Sequence, residues 1–313
     1  MRVFIIGATG YIGGVFAERL LSNGHQVVGT ARTPEAAEKL RKAGVKPYEG
    51  TLDQASGLLP AVSEADAIIY AAYRYDNEKE AENEIKTRRT HISEILEVMT
   101  GLGKTFVLTS GTGVLGDTGD RIYEENTPLL PSSAPVTLAR RALEQEVLSA
   151  AKKGVRSIVL RPPVVYGRGG SLLIPNQLLD YALRSGMSIY IEGTEENKWS
   201  TVHIDDLADL FMKAIDQAQP GSLWHTSSES GITTRSIAEA ISRVAGLNGK
   251  TTSITAEEAK ELFGRWASFW ALNNQSSAQK AMDVLHWRPT RPSMLADIEH
   301  GSYAIRCMPG ART

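Results

Sequence analysis

Residues 7–14 read GATGYIGG, with Gly7, Gly10 and Gly13 three apart. They follow an apolar run, Val3 to Ile6, and open an amphipathic stretch, so they form a strand-to-helix turn. Such a turn can bind an anion. A helix amino terminus offers unpaired backbone N–H groups, and glycine lets the main chain approach a phosphate with no side chain between them. In the first turn of a βαβ unit the pattern predicts a dinucleotide site, with Gly13 letting helix and strand pack closely. The expected contacts are Gly7, Thr9, Gly10, Tyr11, Ile12 and Gly13. The competing reading is a tight turn and nothing more.

The second apolar run decides which dinucleotide. NAD binding generally places Asp or Glu at its end, on the ribose 2′-hydroxyl. Here the run ends Gly29-Thr30-Ala31-Arg32-Thr33, without a carboxylate. Arg32 suits a 2′-phosphate, and Thr30 or Thr33 could donate hydrogen bonds, so NADP(H) is expected over NAD(H). The alternative is a plain surface arginine. Asp53 follows the third strand, where an acid can reach the adenine amino group or simply cap the segment from Gln54.

A second candidate lies in APVTLARRALEQE (134–146). Val136, Ala139, Leu143 and Val147 recur at helical spacing and share one face. Thr137 and Arg141, four apart, also lie side by side, facing either water or an active site.

The elements that must position these groups are legible as alternation. Strands are expected at 3–7, 26–30, 67–72, 105–110 and 157–162, continuously apolar as strands buried on both faces must be. Helical patterns fall at 12–22, 35–43, 79–100 and 136–152. This is an α/β chain, a doubly wound parallel-sheet Rossmann domain with a smaller, mainly helical substrate-side region. Helices are expected at 172–184, 205–217, 234–245 and roughly 256–283. The dinucleotide-binding domain is placed at 1–167, with 200–225 returning to it, and the substrate-side region at 168–199 and 226–313. The charged run EKEAENEIKTRR (78–89) reads as a solvated helix face with i,i+4 pairs, and His91 as solvated with it.

The 313 residues carry 42% hydrophobic and 22% charged side chains, an ordinary globular balance, and a net charge of -2 that argues against a basic nucleic-acid surface. No apolar run is long enough to span a bilayer. The first strand begins at Arg2, leaving no room for a leader, and the lone Cys307 fits a reducing cytoplasm. The expected partners are a small-molecule substrate and, among assemblies left open, a second copy of the chain; no nucleic acid and no membrane are expected.

The ordered motifs resemble the extended short-chain dehydrogenases/reductases, the NAD-dependent epimerase/dehydratase family, over nearly the whole length. GATGYIG (7–13) resembles its cofactor loop, and Ala71-Ala72 the small pair beside the nicotinamide. FVLTSGTGVLG (106–116) resembles its fifth strand with the Ser/Thr-rich turn, and YEENTP (123–128) its acidic stretch. RPPVVYGRGG (161–170), including Pro162, resembles the segment under the nicotinamide, WSTVHIDDLA (199–208) the His-x-Asp-Asp corner, and LHWRPT (285–290) a C-terminal element.

The resemblance implies that the pair on 134–146 faces the cofactor. The family carries Tyr-x-x-x-Lys there; this chain has Thr137 and Arg141, so it is an atypical member. A threonine hydroxyl donates a hydrogen bond but is a poor proton source, and it is too short to reach where a tyrosine hydroxyl would sit. Arg141 can hold the nicotinamide ribose but cannot relay a proton. Gly111 falls where the family places its substrate-binding Ser or Thr, leaving Ser110 or Thr112 to polarise a carbonyl or merely to satisfy the turn. Tyr73, Tyr75 and Tyr166 are alternative acids.

His203, Asp205 and Asp206 read as a helix cap with a structural histidine, and no metal site is expected. Trp199, Trp266, Phe269 and Trp270 line an apolar pocket or pack in a core. The expected function is an NADP(H)-dependent oxidoreductase or epimerase-like enzyme acting on a small or medium carbonyl or alcohol. The alternatives are an NADP(H)-binding sensor or scaffold without turnover, or an enzyme that holds a nucleotide structurally.

Overall fold

The computed structural model describes residues 1–49, 55–73, 78–132, 134–171, 174–264 and 266–307. The chain begins β1 (Arg2–Ile6), α1 (Tyr11–Ser22), β2 (Gln26–Ala31), α2 (Pro34–Lys42), β3 (Lys46–Glu49), α3 (Leu59–Glu64), β4 (Ala67–Tyr70), α4 (Glu78–Val98), β5 (Thr105–Thr109), α5 (Pro135–Ser149) and β6 (Arg156–Arg161). It continues β7 (Val164–Gly167), β8 (Gly170–Ser171), α6 (Asn176–Ser185), β9 (Ser188–Ile191), β10 (Lys198–His203), α7 (Ile204–Gln217), β11 (Ser222–His225), β12 (Glu229–Thr233) and α8 (Thr234–Val244). The last elements are β13 (Thr251–Ile254), α9 (Ala256–Phe263), α10 (Trp266–Trp270), α11 (Gln279–Val284), α12 (Met294–His300) and α13 (Ser302–Cys307).

The chain divides into two compact units. The first comprises Met1–Val114, Pro131–Arg161 and Ala208–Trp224; the second comprises Leu115–Leu130, Pro162–Leu207 and His225–Thr313. The first unit holds a seven-stranded sheet in the order β11-β6-β5-β4-β1-β2-β3. Pairing from β6 through to β3 is parallel, with Phe4 opposite Val28 on one side and Ile68 on the other. The order reverses between β4 and β2 around β1, the switch point at which doubly wound sheets bind ligands at their carboxyl ends. Val3, Phe4, Ile5 and Ile6 are wholly buried, as are Phe106 and Val107, which is why these strands read as unbroken apolar runs. Leu143 and Val147 set α5 into the same core.

The second unit carries a four-stranded sheet, β12-β10-β7-β8, and a two-stranded one, β13-β9, besides its helices. Its core gathers Tyr166, Leu179, Trp199, Ile241, Met294 and Tyr303. The helix expected over 256–283 is broken into α9, α10 and α11. Gly264, at φ +60°, ends α9, and Asn274 and Ser276 bridge in parallel to Trp199 and Tyr123. The solvated face expected over 78–91 also needs correction: Arg88 and His91 are 5% and 3% exposed, because the helix turns that side toward the first unit's interior. Among the described residues, no helix is long and apolar enough to cross a membrane.

Candidate cofactor and active site

The glycine turn sits at the carboxyl end of β1. Gly7 has φ +100°, and a Cβ there would stand 2.7 Å from the Ala72 nitrogen. A Cβ on Gly13 would overlap the Gly7 carbonyl oxygen. Both glycines are therefore demanded by the protein's own packing. Gly10 differs: its φ is an ordinary −78°, and a Cβ would approach only the Gly7 oxygen, at 3.2 Å. Gly10 caps α1 without a side-chain hydrogen bond, and the first turn carries no acid. The amino end of α1 thus keeps backbone donors and a positive dipole end for an anion. By contrast, the Thr33 hydroxyl caps α2, accepting the Ala36 N–H at 3.2 Å.

Thr30 and Thr33 are both engaged within the protein. The Gly7 N–H donates to the Thr30 hydroxyl at 3.2 Å, so the end of β2 holds the start of the loop, while Thr33 serves α2. Arg32 is exposed just past β2. Lys39, which sequence reasoning missed, reaches back from α2 to donate to the Thr9 carbonyl at 2.9 Å. Two cations therefore lie near the β2 end of the loop, and the residues fit a dinucleotide. Asp53 and Tyr75 lie outside the described residues.

Beyond β4, the Ala71 N–H donates to the Ile6 carbonyl at 2.8 Å, and Ala71 and Ala72 lie against Gly7. Tyr73 follows directly. The Arg88 guanidinium of α4 lies 4.4 Å from its ring centroid and that of Arg140, on α5, lies 4.8 Å away. The tyrosine hydroxyl is shielded from solvent.

After β5, the Ser110 N–H donates to the Leu160 carbonyl at 2.8 Å, leaving the half-buried Ser110 hydroxyl at the sheet's carboxyl edge. The Thr109 hydroxyl is buried without a partner there, whereas Thr112 is 2% exposed within the turn Thr112–Leu115. Arg141 Nε donates to the Val114 carbonyl at 2.8 Å, so the arginine ties α5 to this turn. Thr137 is half-buried, one turn earlier on α5. The structure thus brings Arg141 to the Ser/Thr-rich turn and Ala71-Ala72 to the glycine loop. Pro162 begins the second unit.

The seat of α5 is a buried ion pair. Arg161, ending β6, donates from Nε to both Glu144 oxygens at 3.1 Å and from its terminal nitrogen at 2.6 Å. Glu144 is 1% exposed and Arg161 3%. No spacing rule flags a pair 17 residues apart on a helix and a strand.

In the second unit, the corner after β10 is structural. Asp206 accepts the N–H groups of Thr290 and Arg291 at 2.9 and 3.1 Å, and its carbonyl accepts from the Trp287 indole at 3.0 Å. Burial would raise the Asp205 carboxyl, but hydrogen bonds and charge from Arg168, at 2.6 Å, outweigh it and hold that acid below its usual range. Burial lowers the His203 imidazole. The alternative acid Tyr166 is 1% exposed and donates to the Pro292 carbonyl at 2.6 Å. Burial raises its phenol, and its proton is held by that carbonyl. Trp199 and Trp270 line an apolar cleft with Ile189, Ile191, Ile237 and Phe263, enclosing about 380 Å³, part of it open solvent. Trp266 and Phe269 instead pack against the unit's core.

Residues 3–224 match the NAD dependent epimerase/dehydratase family, and the chain belongs to it, a family of NAD(P)-dependent oxidoreductases and epimerases. An uncharacterized protein of Schizosaccharomyces pombe is 36% identical, the match covering 97% of this chain and 100% of that one. The chain is 24% identical to the 4-hydroxy-2-methyl-3-oxo-4-farnesyl-3,4-dihydroquinoline-1-oxide ketoreductase of Stigmatella aurantiaca, over 86% of this chain and 81% of that protein. The fold is shared with UDP-glucose 4-epimerase of Thermus thermophilus, solved in complex with NAD. The TM-score is 0.77 at 20% identity, covering 98% of this chain and 99% of that one. The protein is thus a nicotinamide-dinucleotide enzyme of the oxidoreductase/epimerase class.

Proposed function

We propose that the protein is an NADP(H)-dependent oxidoreductase that reduces a carbonyl, or oxidises the matching alcohol, on a small or medium organic substrate. The first unit is the dinucleotide-binding part and the second the substrate-side part. The observation that carries the reading is the uncapped amino end of α1, with Arg32 and Lys39 near the end of β2 and no carboxylate ending that strand. A 2′-phosphate on the ribose would complete that charge pattern. The ketoreductase among the relatives supports the carbonyl half of the reading.

A bound nicotinamide supplies hydride to the carbonyl carbon, so that carbonyl, NADPH and one proton give alcohol and NADP⁺. This chain's part is binding, orientation and the proton. The Ile12 and Gly13 backbone N–H groups would hold the pyrophosphate, the Gly10 N–H being donated to the Gly7 carbonyl at 3.0 Å, and Arg141 would steady the ribose from its tether on Val114. Ser110 and Thr137 offer hydroxyls to the carbonyl oxygen, polarising it as charge develops. Neither titrates in the useful range, so the oxygen takes its proton from water. Tyr73, with its hydroxyl shielded and its ring flanked by two guanidiniums, serves as a platform for them.

The test is calorimetric titration with NADPH and NADH, followed by a carbonyl panel read by cofactor absorbance. Tighter NADPH binding with turnover of at least one carbonyl is expected. Equal affinities would remove the cofactor preference. The second reading, an NADP(H) sensor, is favoured by Thr137 and Arg141 in place of Tyr and Lys. It takes over if NADPH binds, no carbonyl is reduced, and Thr137→Tyr with Arg141→Lys creates activity.

A further inference from the structure

The arrangement around Tyr73 is unexplained by cofactor binding. Arg88 and Arg140 come from different helices, yet both place their guanidinium carbon within 5 Å of one ring centroid. The ring's negative face attracts each cation. It also holds two like charges within about one Debye length (~10 Å at 0.1 M salt) of each other, where they repel. Neighbouring Arg89 is paired with Glu146 at 2.9 Å. Arg140 has no carboxylate partner among the described residues, and its Nε is buried without an acceptor. A desolvated guanidinium donor facing no acceptor is unfavourable unless a ligand completes it.

Position says which ligand. Tyr73 directly follows Ala72, whose backbone lies against Gly7 in the cofactor loop. Arg140 precedes Arg141, which is tied to the turn after β5. The cations therefore stand at the carboxyl edge of the sheet, on the side of β4 away from Arg32, which follows β2 beyond β1.

We propose that Arg140, braced with Arg88 on the Tyr73 ring, forms a subsite for the carboxylate of the substrate, so that the enzyme takes oxo acids rather than neutral ketones. This rests on the oxidoreductase reading above only in calling the anion a substrate. A planar carboxylate matches the fork of a guanidinium and can accept two parallel N–H bonds. The reaction is unchanged: hydride reaches the carbonyl carbon, the oxygen takes a proton, and the carboxylate is only held.

Two measurements separate this proposal from the function itself. The first needs no turnover: calorimetry of the full chain with hexanoate, hexanamide and inorganic phosphate. Hexanoate should bind at least tenfold more tightly than hexanamide and more tightly than phosphate, and R140Q should weaken it at least tenfold. R140K, which keeps charge but loses the fork, should recover part of the loss. The second compares kcat/KM for oxo acids and their methyl esters, and the acid-to-ester ratio should collapse toward one in R140Q. Arg140 is partly exposed beyond its buried Nε, so circular dichroism of R140Q should remain native; Y73L, which removes the platform, gives an independent variant with the same expected direction. Equal binding of hexanoate and hexanamide, or unchanged hexanoate affinity in both folded variants, overturns the subsite. Tighter phosphate overturns its assignment to a carboxylate. Carboxylate binding without reduction of any oxo acid leaves the subsite standing and removes the oxidoreductase reading.

Discussion

In the proposed function the loop after β1 and the face of α5 serve one cofactor-dependent site, and they keep the resemblance to the family to very different degrees. The loop keeps its glycines because its task falls to backbone, and two of the three are required by the fold itself: Gly7 against Ala72 and Gly13 against the Gly7 carbonyl. On α5 the task falls to side chains, and these have changed to Thr137 and Arg141 while the helix stays seated. Requirements imposed by main-chain packing resist substitution. Requirements imposed by a reacting atom vanish as soon as the reaction is run another way.

The sharpest way to break this contrast is to attack the seat of α5. Glu144→Gln leaves Arg161 charged, buried and short of its partner, and should cost about 3–5 kcal/mol in urea denaturation. Replacing both, Glu144→Leu with Arg161→Met, should return most of that stability. If the single substitution costs less than about 1 kcal/mol, the pair is not what holds the helix.

Within the loop the comparison can be made glycine by glycine. Gly13→Ala should cost up to about 3 kcal/mol of stability, because its methyl group meets backbone that cannot swing aside. Gly10→Val should leave a folded chain by circular dichroism yet weaken NADPH binding by about 100-fold, because the obstruction stands where the pyrophosphate lies. Normal NADPH affinity in Gly10→Val would show that the loop is not the cradle.

Arg32→Ala should narrow the gap between NADPH and NADH by about 1.5–3 kcal/mol, or about 10- to 150-fold, as expected for a charge-assisted pair. The change belongs to NADPH alone, and raising salt should shrink it. The smallest effect is expected at Thr137. Thr137→Ala removes one neutral hydrogen bond, roughly 1 kcal/mol, near a fivefold change in turnover. Activity that collapses on this substitution would make the threonine the proton donor and undo the contrast between loop and helix.

Much of the first unit was legible in the sequence. The runs at 26–30 and 105–110 coincide closely with β2 and β5, because a strand buried on both faces has no polar alternation to confuse it. The cofactor loop was legible for a related reason: glycine spacing is a local signature of a local geometry. What failed was long-range. Arg88 sits in a charged run whose i,i+4 spacing suggests solvent, yet the packing of α4 buries it against Tyr73. Arg140 stood beside Arg141 in the same quoted stretch, but which of two adjacent arginines faces the ring depends on helix rotation. Lys39 reaches Thr9 only because α2 lies alongside the loop. In the second unit, Gly264 interrupts an apolar periodicity that otherwise runs on, and only its positive φ ends the helix.

Glu144 lies seven residues beyond Thr137, two turns along α5, and grips Arg161 well away from that threonine, whereas Arg141 is itself a tie from the helix to Val114. The helix is thus a mount whose main fastening stands apart from position 137. A side-chain library at 137 would sample new proton donors on a frame that Glu144 and Arg161 secure elsewhere. That separation makes this chain a practical chassis for retooling at position 137.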